Sequence, residues 1–159
     1  MQSTVRSRIA MVVAAAILII AAVVDVHAAT RNWVGDISNE WTAGTDGVDT
    51  NWDNNSFPLS VDTARFAFGT NTAITVSTSQ TVGRLRFAPA NSTTTTLSGA
   101  TITLNGDAGE AIGKESGSAG SVVINNDIIL GADNLLVLRQ TAGGTAGDLT
   151  FNGIIDDGA

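Results

Sequence analysis

From Asn71 onward this chain is built of short apolar pairs, each with one residue between its members, set in Thr, Ser, Gly and Asn. The pairs are Ile74/Val76, Leu85/Phe87, Ile102/Leu104, Val122/Ile124, Ile128/Leu130, Leu136/Leu138 and Leu149/Phe151. In an extended chain, residues two apart share a face, so each pair sends two apolar side chains inward and the residue between them outward. A helix would need apolar residues three and four apart, a spacing this stretch does not keep. The expected fold is therefore all-β, with strands of about three residues. The outward set begins polar (Thr75, Arg86, Thr103) and turns aliphatic at Val123, Ile129 and Val137, which suggests that the later strands are covered on both faces.

Strand ends carry a second regularity: Leu104-Asn105-Gly106, Ile124-Asn125-Asn126 and Phe151-Asn152-Gly153. Asn and Gly tolerate the left-handed backbone of a sharp bend, so such a bend is expected at Asn125 or Asn126. From Asn105 to Asn125 is about 20 residues and from Asn125 to Asn152 about 27, close to one rung of a parallel β-helix. The expected fold is a right-handed parallel β-helix, a solenoid, in which equivalent strands of successive coils pair and inward side chains stack. The alternative is an antiparallel β-sandwich, whose strands average about five or six residues. Strands half that length, ending repeatedly on Asn, favour the solenoid.

The amino end reads differently. Arg6 and Arg8 precede an uncharged run from Ile9 to Val24, followed by Asp25-Val26-His27-Ala28-Ala29. This is the order of a secretory signal, with Val26 and Ala28 as the small residues before a cleavage expected after Ala28. The uncharged run falls short of the roughly 20 residues a spanning helix requires. The expected organisation is a signal peptide over 1–28, an N-terminal cap region over 29–70 and solenoid coils over 71–159. Cleavage removes Arg6, Arg8 and Asp25, so eight basic and fifteen acidic residues become six and fourteen, and the formal net charge moves from −7 to −8. Lys114 and five arginines scattered along an acidic chain offer no evident basic patch, so nucleic acid is not an expected partner. The chain has no cysteine although export would permit disulfides, so packing and backbone hydrogen bonds must hold the fold.

The stretch Trp41…Asn51-Trp52…Pro58…Asp62-Thr63-Ala64-Arg65-Phe66, followed by Ile74-Thr75-Val76 and by Gln80-Thr81-Val82-Gly83-Arg84-Leu85-Arg86-Phe87, resembles the start of autotransporter-associated β-strand repeat proteins. So does Asp148-Leu149-Thr150-Phe151-Asn152-Gly153-Ile154-Ile155-Asp156-Asp157-Gly158. The resemblance covers most of residues 33–158 and implies an exported N-terminus leading into a long β-helical passenger at or outside a Gram-negative-type cell. That family's Gly-rich repeat with a Lys followed by alternating Leu, Thr and Gly is not found here, nor are its C-terminal barrel or sorting tail. The expectation is thus a piece truncated at its C-terminal side, with membrane contact only through those missing parts.

Candidate chemistry is sparse. His27, the single histidine, leaves with the signal, so the remaining chain lacks imidazole and thiol, and with them Ser-His-Asp or Cys-His catalysis and zinc or copper sites of the usual kind. Gly143-Gly144-Thr145-Ala146-Gly147 lacks the lysine of a phosphate-binding loop and reads as a turn. Asp156 and Asp157, adjacent on a strand, would face opposite ways and could not flank one glycosidic bond. A calcium reading rests on Asp49, Asn51 and Asp53, which repeat the first three oxygen positions of an EF-hand loop; the loop then has Asn54 where Gly is needed and Ser60 where a bidentate Glu is needed. Trp33, Trp41 and Trp52 could form a carbohydrate-stacking platform or, buried with Phe66, plug the open end of the solenoid. These features describe a non-catalytic structural or adhesive surface segment without a cofactor. Its expected partner is a surface polysaccharide or another cell's surface. The alternative function is a carbohydrate-binding module or the start of a β-helical polysaccharide-degrading enzyme.

Overall fold

The computed structural model describes residues 28–67, 72–89, 93–106, 111–115, 119–131, 138–140 and 147–158. The expected signal residues 1–27, Leu136, Val137 and the turn residues Gly143–Ala146 lie outside them. Fifteen strands are described: β1 (Thr30–Asn32), β2 (Gly44–Thr45), β3 (Asp49–Thr50), β4 (Thr63–Phe66), β5 (Ala73–Val76), β6 (Gln80–Val82), β7 (Arg84–Phe87), β8 (Thr94–Gly99), β9 (Ile102–Leu104), β10 (Ile112–Lys114), β11 (Ser121–Ile124), β12 (Ile128–Leu130), β13 (Leu138–Gln140), β14 (Leu149–Phe151) and β15 (Ile155–Asp156). A 3-10 turn at Asp53–Asn55 is the one helical element among the described residues.

Three parallel sheets share the strands in rotation. The first is ordered β1-β4-β7-β10-β13, the second β14-β11-β8-β5 and the third β15-β12-β9-β6. From β4 onward the chain thus visits each sheet once before returning to lie beside the strand three places earlier. Leu97, Ile124 and Phe151 are register partners in the second sheet, and Ile102, Ile128 and Ile155 in the third, so the later returns come every 26 or 27 residues. The first return, Thr30 to Thr63, is longer because the antiparallel ribbon β2–β3 and the 3-10 turn are inserted into it. The first sheet begins within residues 29–70, β1 and β4 being continuous with β7. An antiparallel sandwich is excluded by this pairing. Among the described residues only β2–β3 and the Trp33–Trp52 bridge run antiparallel, because strands of three or four residues joined by long returns stack translationally rather than fold back as hairpins.

The core is built of columns. Ala64, Leu85 and Ile112 stand in register in the first sheet, Ile74, Leu97 and Ile124 in the second, and Val82, Leu104 and Leu130 in the third; all are buried. Of the predicted pairs, Leu149 and Phe151 are only half-buried, as expected for β14 at a sheet edge. The outward Val123 and Ile129 are half-exposed, so the second-layer expectation is not met. Each is a single aliphatic residue in a polar column, Thr96–Val123–Thr150 and Thr103–Ile129–Asp156.

The Asn expectations need correction. Asn105 follows a strand of the third sheet, whereas Asn125 and Asn152 follow strands of the second, so only the interval of 27 is a true repeat. Neither Asn125 nor Asn126 is left-handed; among described non-glycine residues only Asn54 (φ 57°) and Asn55 (φ 52°) are. These asparagines instead join the turn between one pair of strands to the turn between the neighbouring pair through their side chains. Asn126, 1% exposed, donates from Nδ2 to the Ala100 carbonyl at 2.6 Å, and Asn152 Nδ2 donates to Asn125 Oδ1 at 2.8 Å. The left-handed position is instead Gly99 (φ +111°) at the end of β8, where a Cβ would lie 2.4 Å from the carbonyl oxygen of Val76 on the neighbouring β5.

Candidate functional site

Every basic residue after position 28 lies on a strand of the first sheet: Arg31 on β1, Arg65 on β4, Arg84 and Arg86 on β7, Lys114 on β10 and Arg139 on β13. No strand of that sheet carries an acidic residue. Residues dispersed over more than a hundred positions are thus gathered because every third strand returns to this sheet. The expectation that no basic patch exists is corrected on this ground.

Alternation divides these six residues between two faces. Ala64, Phe66, Leu85 and Phe87 point inward, so Arg65, Arg84 and Arg86 are on the outer face, each half-exposed. Asn32, Arg65, Arg86, Gly113 and Arg139 occupy one register row, with strands about 4.8 Å apart. Glu115, directly after β10, closes on Arg65 in a bidentate pair, Nε to Oε1 at 2.5 Å and Nη2 to Oε2 at 2.7 Å. Arg65 Nη1 also donates to Asn32 Oδ1 at 3.0 Å, so one guanidinium staples β1, β4 and the end of β10 together. The hydrogen bond from Arg65 holds the Glu115 carboxyl below the usual carboxylate range, and the same bond raises Arg65. Among the described residues, Arg65, Arg84 and Arg86 share this outer face with Glu115.

The two other cations face inward or lie at the edge. Arg31 Nε is 3.6 Å from Asp62 Oδ2. Lys114 continues the Phe66–Phe87 column, is buried, and donates from Nζ to the Gly147 carbonyl at 2.8 Å. Burial lowers its pKa, because the charged form loses water.

The sequence-predicted site residues are placed elsewhere. Trp33, Trp41 and Trp52 are 2%, 0% and 1% exposed, with ring centroids 5.2 Å (33–52) and 4.8 Å (41–52) apart. They pack on Phe66, which stacks on Phe87 at 5.2 Å and 16°. Trp52 Nε1 donates to the Trp41 carbonyl at 3.0 Å. No indole face is open to a sugar ring, so the stacking platform is withdrawn; the trio belongs to the core at the β1 end of the first sheet. The calcium set is likewise not assembled. Asp49 Oδ1 accepts from Thr45 N, Asn51 Oδ1 from Ile37 N and Ser38 N, and Asp53 from both the backbone and the side-chain amide of Asn32. These oxygens serve three separate loop contacts, and among the described residues no three acidic, His or Cys side chains form a metal-holding group. Asp156 and Asp157 are exposed at the end of β15.

Comparison with protein-family models, with curated proteins and with solved structures gave no match.

Proposed function

We propose that this chain is an exported, non-catalytic structural or adhesive segment, a right-handed parallel β-helix of the autotransporter-associated repeat kind, whose arginine-bearing sheet contacts acidic polysaccharide on a surface. The observation that carries the reading is the in-register parallel pairing of each strand with the strand three places on, in all three sheets. Such pairing gives a repetitive, mostly polar surface, which suits extended contact. The absence of His and Cys after residue 28 supports the same conclusion.

The net charge does not decide the partner. At physiological ionic strength charges are screened over about 8 Å, so a contacting polymer senses the local face rather than distant carboxylates. That face carries Arg84 and Arg86, each half-exposed, beside Arg65, which Glu115 and Asn32 already hold, and guanidinium groups fit carboxylates by paired hydrogen bonds.

The test is binding of the full chain to polygalacturonate, to neutral dextran and to a single-stranded oligonucleotide at several salt concentrations. Polygalacturonate alone should be retained, with affinity falling as salt rises and lost in Arg84→Gln/Arg86→Gln. Equal retention of dextran, or preference for the oligonucleotide, refutes the partner assignment.

A further inference from the structure

The described chain starts with Ala28 exposed and Ala29 already anchored. Ala29 N donates to Asp62 Oδ1 at 2.8 Å, and the Ala29 carbonyl accepts from Thr63 N at 2.8 Å. Asp62 is only 1% exposed. Its second oxygen accepts from Leu59 N at 3.0 Å and lies 3.6 Å from Arg31 Nε, a buried nitrogen without a hydrogen-bond partner. Of the other charged residues on the adjoining strands, Arg84 stands across from Thr63 on β7, while Arg65 on β4 and Arg86 on β7 are partners of each other two positions farther along. A buried carboxylate therefore meets the nitrogen of the very peptide bond whose cleavage the sequence predicts.

We propose that Asp62 is the receiving site for the α-ammonium formed on Ala29 when the Ala28–Ala29 bond is hydrolysed, so that removal of the leader locks the first strand into the fold. The proposal rests on the export reading. Hydrolysis consumes one water, breaks the Ala28 C–N bond, and leaves a carboxylate on the released leader and an ammonium on Ala29. The nitrogen need not move. Its neutral amide hydrogen bond becomes a charge-assisted one, and Asp62, previously facing Arg31 alone, gains a second cation at closer range. Because Ala28 is exposed, the two additional N–H groups can be met by water.

An opposite charge at this distance raises an amine pKa by roughly 1–3 units over its ordinary value of about 7.7–8.0. A group raised in the folded state contributes stability fully present below the unfolded pKa and lost as pH rises through the folded one. The processed chain should therefore lose thermal stability in the alkaline range.

The experiment produces the full chain with its own leader in an exporting bacterial host, alongside a variant with one alanine inserted after Ala28 and the variant Asp62→Asn. The insertion restores an amide at Ala29 and moves the ammonium outward. N-terminal sequencing locates cleavage, and the rate of α-amine acylation against pH gives the amine titration. We expect cleavage after Ala28, an amine about tenfold or more slower to react near pH 8 than in the insertion variant, and an alkaline fall in Tm that both variants lack. Should Asp62→Asn fail to fold, the insertion variant decides the matter alone. Cleavage elsewhere, or an intact chain, overturns both the inference and the predicted export site. Cleavage after Ala28 with the same amine titration in both forms overturns the inference and leaves export standing.

Discussion

If the three sheets are stacked translationally, one whole coil can be removed without disturbing any register. Deleting residues 98–124 joins Leu97 to Asn125. Because Leu97, Ile124 and Phe151 are partners, the new strand meets β5 on one side and β14 on the other, with Ile74, Leu97 and Phe151 in line. In the third sheet Gln80 meets Ile128 and Val82 meets Leu130, since both sets already share Ile102 and Leu104 as intermediate partners. In the first sheet Leu85 comes into line with Leu138. The deletion removes about a fifth of residues 29–159. With stability of about 0.05–0.15 kcal/mol per residue, the expected loss is roughly 1–4 kcal/mol. The denaturant m-value should fall by about a fifth, because it follows the surface exposed on unfolding. The loss includes the Arg65–Glu115 staple, so the upper half of that range is expected. Far-ultraviolet circular dichroism and urea titration measure both quantities. A control deletion of residues 98–111, half a coil, should abolish folding by sending inward columns outward. Equal damage from the two deletions would refute translational stacking.

Four further outcomes are expected. Asn126→Leu removes the donor to the Ala100 carbonyl and should cost about 1–3 kcal/mol by thermal melting, whereas Asn125→Gly and Asn125→Val should differ little, Asn125 not being left-handed. Gly99→Ala should destabilise by more than about 1 kcal/mol, both from its positive φ and from the approach to Val76, as read by the urea midpoint. Glu115 is held below its ordinary pKa, so its contribution is present above that value and lost as pH falls through the depressed one; being partly exposed, the pair should contribute no more than about 1 kcal/mol, and Glu115→Gln should flatten the acid limb of stability against pH. Tryptophan emission should be blue-shifted, resist iodide quenching and stay unchanged on adding oligosaccharides, because all three indoles are buried.

The positions of strands with an apolar pair could be read from period two alone, as at Ile74/Val76 and Ile102/Leu104. Strands whose inward set is mixed could not. Thr95/Leu97 on β8 and Ile112/Lys114 on β10 place a hydroxyl or an ammonium in a core column, and only the neighbours above and below make those positions interior. Strand-end asparagines were visible, but their role was not: a local reading finds backbone tolerance, while the fold uses the amide to reach the neighbouring turn. The residues of the arginine face were visible and their convergence was not, since Arg65 and Glu115 are 50 positions apart and meet only through the register of parallel strands. Local alternation and charge are properties of neighbours in sequence and are legible there: short strands, an outward polar set, an aromatic-rich first section and, after residue 28, no imidazole or thiol. Which strands lie side by side, which tryptophan faces are covered and which charges share a surface depend on how far the chain travels before it returns, a distance set by loop lengths and paid only when the sheets form. The tertiary structure alone decided those.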